Sequence, residues 1–417
     1  MRDLMDFDIF FSISQTPDST GRTPSETEMF VSFFEQVELA DDLGFGVAWL
    51  AQAHLSTEVQ KMNKRPVVPH YPGEVGLCTD FFQVAREVFA RTRRMDVGSA
   101  VMPILVSGGP IAQAERVGAF LALHGIDPGE GRRLHVGFSA GRFEFMARPY
   151  GIVPRDEVEE AAWPALRGCI FAEASEIFLR LLNGEVLSSE DVRPTVLTRE
   201  NFRSDEDWST VQSAALDLHG LDSAPEEVGF PRRYEFEEIK TIPQNWRRDL
   251  LNLVIGSHDP KLQVNVNRFR PVQVFNLSIT HPDVIEETHD RMAEHYHPDG
   301  GVWSRGMMPR TVMVFINDED GLSTEEQDEA AMGEAKAALS TYWSALEGTI
   351  DPEKIEKATA NAVIGSVGRV ADQIKERFHP DDRLMCWFDF FNHDSGRVMR
   401  NMDAFMTKVS PMVNGRV

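Results

Sequence analysis

Apolar positions along this chain alternate between two textures. Eight short runs are dense in β-branched and aromatic residues, at positions 7–13, 45–50, 95–102, 133–138, 252–257, 272–277, 311–316 and 384–391. Between them the apolar residues recur at three- and four-residue steps, the spacing that gives a helix one buried stripe. Phe30, Phe33, Phe34, Val37 and Ala40 form such a stripe behind the capping signal Ser25-Glu26-Thr27-Glu28. Ile111, Ala114, Val117 and Leu121 repeat it after the third run, Val367, Val370, Ile374 and Phe378 before the eighth, and Val398, Met402, Phe405 and Val409 at the end.

Eight strands alternating with helices predict a parallel sheet wrapped by helices, and the count favours a single (β/α)8 TIM barrel over residues 1–417. An open doubly wound sheet would need a glycine-rich turn after the first strand, where this chain has FSISQTPDST. Residues 186–248 break the rhythm with a polar, acidic, turn-rich stretch between strands four and five. An insertion this long is expected to serve as a lid over the barrel mouth, with a plain surface insertion as the alternative.

Composition narrows the functional classes. With 42% hydrophobic and 26% charged residues the chain can fill a large core. Its formal charge of −24 disfavours nucleic acid, which needs a basic surface. The first residues, MRDLMDFDIFFSIS, lack the apolar run of a signal peptide, and no stretch of 18 apolar residues predicts a membrane span. Cys78, Cys169 and Cys386 are widely spaced, which suggests free thiols in a reducing cytoplasm.

The one dense histidine cluster, His289, His295 and His297, falls in a helix and turn beyond strand six, away from the strand ends where a barrel places its ligands, so no metal is expected. The spacings of zinc peptidases, serine esterases and P-loops do not occur. The predicted strand ends are more informative. They carry His54 in Gln52-Ala53-His54, Ala100 and Val101, then Ser139, Ala140, Gly141 and Arg142, and finally Gly256, Ser257 and His258. Small residues, an arginine and a serine at one mouth suit a flat phosphorylated cofactor better than acid–base hydrolysis. The string VIGS occurs twice, at 254–257 and 363–366. The first copy reads as a strand arriving at the mouth, the second as the start of a helix capped by Ser366.

Four blocks in order, VELADDLGFGVAWLAQAH, RTRRMDVGSAVMPILVSGGPIAQAERVGAF, GRRLHVGFSAGRFEFMARPYGI and NAVIGSVGRVADQI, resemble the bacterial luciferase-like flavin monooxygenase family. The resemblance implies a barrel that binds reduced FMN, supplied by a separate flavin reductase, or in one branch a deazaflavin. It implies a non-proline cis peptide at Ala100–Val101 behind the flavin ring. It also implies a phosphate loop at Ser139, Ala140 and Gly141 with Arg142 as its cation, and a phosphate contact from Ser257 that Gly256 and His258 complete. Luciferases carry Glu-His-His where this chain has Gln52-Ala53-His54, so only the second histidine remains as a catalytic candidate and light emission is not expected. The implied reaction is oxygenation of a small organic substrate by O2 through a flavin C4a-(hydro)peroxide, in a homodimer. The alternatives are a deazaflavin-dependent oxidoreductase working by hydride transfer and a non-catalytic flavin-binding subunit.

Overall fold

A computed structural model describes residues 4–15, 17–18, 20–52, 73–74, 76–141, 144–347 and 352–415. All eight expected strands form: β1 Asp6–Phe11, β2 Val47–Leu50, β3 Asp96–Pro103, β4 Leu134–Ser139, then, beyond a two-stranded hairpin, β7 Leu251–Ile255, β8 Gln273–Val274, β9 Arg310–Ile316 and β11 Arg383–Trp387. The hairpin is β5 Thr195–Thr198 paired antiparallel with β6 Glu227–Phe230, and an additional strand, β10 Val363–Gly365, lies beside β9.

The main sheet is parallel throughout and runs β10-β9-β11-β1-β2-β3-β4-β7-β8. A continuous ladder does not close the ring. β8 is two residues long, and its continuation meets β9 through an isolated bridge between Asn276 and Arg310 and the Ser278 amide on the Thr311 hydroxyl at 2.7 Å. The barrel therefore has a seam between its sixth and seventh strands. β10 is the second VIGS copy, so that string ends a short strand before Ser366 starts a helix, a correction to the reading of it as a helix start alone.

The helices are α1 Glu26–Leu43, α2 Phe81–Arg91, α3 Gly109–His124, α4 Glu157–Leu182, α5 Asp205–His219, α6 Pro260–Val266, α7 Pro282–His295, α8 Thr324–Glu347, α9 Pro352–Thr359, α10 Val367–Arg377 and α11 Ser395–Ala404; shorter helical turns fill some connections. The capping box expected at Ser25 and Glu28 forms and starts α1. Alternation along each strand divides the core. Ile9, Phe11, Leu50, Val136, Ile255 and Val314 pack outward against the helices, while Phe10, Val47, Trp49, Val254, Phe275 and Met385 fill the inside.

At its base the barrel interior is polar. The carboxylate of Asp8, fully buried, accepts hydrogen bonds from the Arg383 guanidinium at 2.7 and 3.0 Å, the Trp49 indole at 2.8 Å and the Val47 amide at 3.0 Å. This charge and its partners hold the edges of β1, β2 and β11 together. The Asp8 carboxylate raises the already high basicity of Arg383, against the opposing effect of burial.

The 186–248 insertion is folded. Its helix α5 packs on α4, and its later part follows the outside of α3: Tyr234 lies against Gly109, Trp246 against Gly118 and Arg247 against Gly125. Arg233 anchors this run, reaching Glu159 of α4 at 2.9 Å with both side chains nearly solvent-free. Glu159 also pairs with Arg155 at 2.6 Å. Glu173 accepts the backbone amides of Arg233 and Tyr234 at 2.9 and 3.1 Å, and burial pushes its carboxyl above the usual range.

Candidate active site

β3 is buried except at its first residue and at two positions near its C-terminal end, Ala100 and Val101. Those two residues therefore border open space, at the strand end where the sequence places the ligand site. The peptide between them is cis, as the resemblance implies, and the register with β4 slips between Ser99 and Met102. The slip is a local bulge that carries the backbone of β3 toward β4. A Cβ on Gly137 would stand 2.1 Å from the Ser99 carbonyl oxygen, and one on Gly256 would stand 3.1 Å from a Val101 methyl. Gly137 and Gly256 thus make room for the strand's own bulge. The flat surface presented to the mouth is the bulge itself.

Beyond β4, Ser139, Ala140 and Gly141 turn away from the sheet. Gly141 has φ +88, where a side chain is strained, and its amide donates to Ser139 Oγ at 3.1 Å. Ala140 and Gly141 border a cavity of about 240 Å³ whose far wall is α4, with Trp163, Arg167 and Phe171. Arg142 and His54 lie outside the described residues. Arg167 was not legible as a site residue, because in sequence it is one charge on an amphipathic helix. Only the approach of α4 to the β4 loop gives it a cavity to line.

Gly256, Ser257 and His258 leave β7 at the same end. Ser257 Oγ accepts the Asp259 amide at 3.3 Å, while its carbonyl accepts the Gln263 side chain at 2.8 Å. The N-terminus of α6 is filled by Asp259, whose carboxylate takes the amides of Lys261 and Leu262. His258 is exposed; desolvation, and then the Arg291 guanidinium, lower its basicity. At the second VIGS copy, Asp328 of α8 takes the Ser366 amide at 2.6 Å, so a carboxylate of the chain already sits at the start of α10.

A second set of groups converges where β1 and β11 end. Ser12, just beyond β1, donates its amide and its hydroxyl to Asp389 Oδ2 at 3.2 and 3.1 Å. Asp389 Oδ1 and the Trp387 indole nitrogen are shut off from solvent without hydrogen-bond partners among the described residues. Phe10, Trp387, Phe390 and Phe391 form a ladder of ring contacts rising from the barrel interior, with centroids 4.8 to 4.9 Å apart.

Of the histidines beyond strand six, His289 Nδ1 accepts the Trp303 indole at 3.1 Å, His297 caps the turn Pro298–Gly300, and His295, at the end of α7, lies 4.0 Å from Glu294. Cys78 and Cys386 are buried free thiols and Cys169 is half-buried.

Comparison with known proteins agrees with this architecture. Residues 5–199 match the sequence model of the family described as luciferase-like monooxygenase. No curated protein matches the chain in sequence. Among solved structures, the monooxygenase RslO1 from Streptomyces bottropensis aligns over 98% of this chain and 99% of its own at 17% identity, TM-score 0.64. The FMN-bound oxygenating constituent of 3,6-diketocamphane monooxygenase from Pseudomonas putida, a type II Baeyer-Villiger enzyme, aligns over 98% of both chains at 13% identity, TM-score 0.56. An F420-dependent secondary alcohol dehydrogenase aligns over 99% of both at 13% identity, TM-score 0.53. At such identities the structures establish the fold alone, and the sequence match is a likeness to that family over residues 5–199. Among the described residues no helix is long and apolar enough to cross a membrane.

Proposed function

We propose, from the likeness of residues 5–199 to the luciferase-like monooxygenase family, that this protein is an oxidoreductase of that kind, which binds reduced FMN at the C-terminal mouth of its barrel and oxygenates a small organic molecule with O2. The observation that carries the reading is the pairing of the half-buried Ala100–Val101 surface with the cavity bounded by Ala140, Gly141 and Arg167. One offers backbone and small apolar groups to the face of a planar ring. The other offers a turn and a guanidinium to a phosphate, a pairing of charge and geometry that suits arginine. Bound there, the flavin supplies the oxygen and electron chemistry.

The chain's own residues have simpler tasks. Arg167 and the Gly141 turn hold the phosphate, joined by the Ser257 hydroxyl and by Arg142. The β3 bulge sets the height of the ring above the barrel interior. Phe10, Trp387 and Phe390 wall off the apolar side and keep water from the reacting centre. His54, the histidine that remains in the strand-two position, serves as the acid–base candidate. The 186–248 insertion, whose length suggests a lid, also buttresses α3, α4 and the 151–155 loop, which its described contacts reach. The F420-dependent neighbour supports a second reading, hydride transfer with a deazaflavin on the same surface.

Equilibrium titration of the purified chain with FMN, reduced FMN and F420 tests both. Reduced FMN is expected to bind, and Arg167→Ala to weaken it by roughly 10- to 100-fold, the effect of losing one charged hydrogen bond, with the fold intact. Tighter binding of F420 selects the hydride-transfer reading. Failure to bind any of the three rejects both.

A further inference from the structure

We infer that Ser12 and Asp389 form a two-residue proton relay at the barrel mouth, in which Ser12 touches the bound flavin or substrate and Asp389 decides whether the Ser12 hydroxyl donates or accepts. The inference rests on the proposed site, since the mouth supplies the ligand, but the pair itself is a matter of geometry. Ser12 follows β1 on the side of Asp8 and Phe10, which face the barrel interior, and is partly exposed. Asp389 follows β11 on the side of Met385 and Trp387. The two backbones bring a hydroxyl and a carboxyl together across adjacent strand ends, with Ser12 held to one carboxyl oxygen by both its amide and its hydroxyl.

Two hydrogen-bond arrangements are open to such a pair. When Asp389 is ionised, the Ser12 proton points at Oδ2 and the lone pairs of Oγ face the mouth. When Asp389 is neutral, its own proton points at Oγ, and Ser12 is free to donate to an oxygen or nitrogen of the ligand. Transfer then moves two protons in one direction: the Ser12 O–H breaks as a bond to hydrogen forms on the ligand atom, and the Asp389 O–H breaks as Oγ regains a proton. The carboxylate that remains is reprotonated from the solvent side. No electron changes hands, so the step needs no further reagent.

Asp389 has a solvent side because it borders a cavity of about 250 Å³ between the start of α1 and the loop after β11. The titratable groups facing this cavity are Arg22 and Glu28, which pair with each other, and His393, whose charge acts on Asp18. Burial pushes the Asp389 carboxyl up to about 6, and the two hydrogen bonds from Ser12 oppose the shift. Both states of the relay are thus populated near neutral pH. A carboxyl serving only to tie β1 to β11 would gain nothing from facing a cavity, and would be replaceable by an amide.

Infrared titration of the ligand-free protein reads the carboxyl directly. The relay predicts a protonated-carboxyl band titrating near pH 6, absent from Asp389→Asn, and moved upward by roughly half to one pH unit in Ser12→Ala, which loses a donor to the carboxylate. With reduced FMN under anaerobic conditions, the wild-type dissociation constant is expected to change roughly 3- to 10-fold across the same pH range. That change should vanish in both variants and return in Ser12→Thr. A band unaffected by Ser12→Ala, or a binding profile that keeps its pH break in Asp389→Asn, overturns the relay. If wild-type protein binds no flavin at any pH the cofactor reading fails separately, and the infrared shift still decides the pair. Should Asp389→Asn not fold, Ser12→Ala and Ser12→Thr decide the question alone.

Discussion

Single residues in this barrel matter most where a charge is sealed inside. Asp8 is fully buried and relies on Arg383, Trp49 and one amide for all its compensation. Removing the guanidinium leaves an uncompensated buried charge, which costs far more than the intact pair contributes. Arg383→Met is therefore expected to lower unfolding stability by about 3–5 kcal/mol, measured by urea denaturation, and Asp8→Asn in the same background to recover much of it. A loss under 1 kcal/mol would show that the pair is not closed off from water. Both Asp8 and Asp389 leave a trace in the sequence, since each is a lone acid in an otherwise apolar strand run, FDIFF and WFDFF. Their partners Arg383 and Ser12 leave none.

At the scale of elements, α3 and α4 are held in place by a segment far away in sequence. Arg233 joins the insertion to Glu159 with both side chains nearly solvent-free, and Tyr234, Trp246 and Arg247 follow along α3. Since α4 also carries Arg167, the insertion fixes one wall of the proposed phosphate cavity without touching it. Arg233→Leu is expected to destabilise the protein by about 2–3 kcal/mol in thermal or urea unfolding, less than a full orphan charge because Arg155 still pairs with Glu159. Flavin affinity at saturating stability should weaken only a few-fold. If affinity collapses while stability is unchanged, the insertion contributes to the site directly and the buttress reading is wrong.

For the whole molecule, the net charge of −24 sets up self-repulsion that the folded state must bear in a smaller volume than the unfolded chain. Salt screens this over roughly 10 Å at 0.1 M. The melting temperature at pH 7.5 should accordingly rise by a few degrees between about 10 mM and 200 mM sodium chloride, followed by calorimetry. A fall would mean that local ion pairs outweigh the global repulsion. The same negative field disfavours phosphate in the mouth, so cations placed locally, such as Arg167, have to overcome it.

Local pattern along the chain sufficed for the eight strands, their order, the capped first helix and the mouth at the strand ends, because each follows from periodicity within a few residues. It carried the family resemblance and the cis Ala100–Val101 peptide through that resemblance. It misread the second VIGS copy, whose three-residue strand is too short to show a period and exists only because β9 offers it an edge. It could not show the seam at Asn276 and Arg310, the flank position of the insertion, the purpose of Gly137 and Gly256, or the meeting of Ser12 with Asp389 and of Arg167 with the β4 loop. Each of these is a contact between residues distant along the chain. Local pattern fixes which elements form, but only the closing of the barrel fixes which side chains face each other across it.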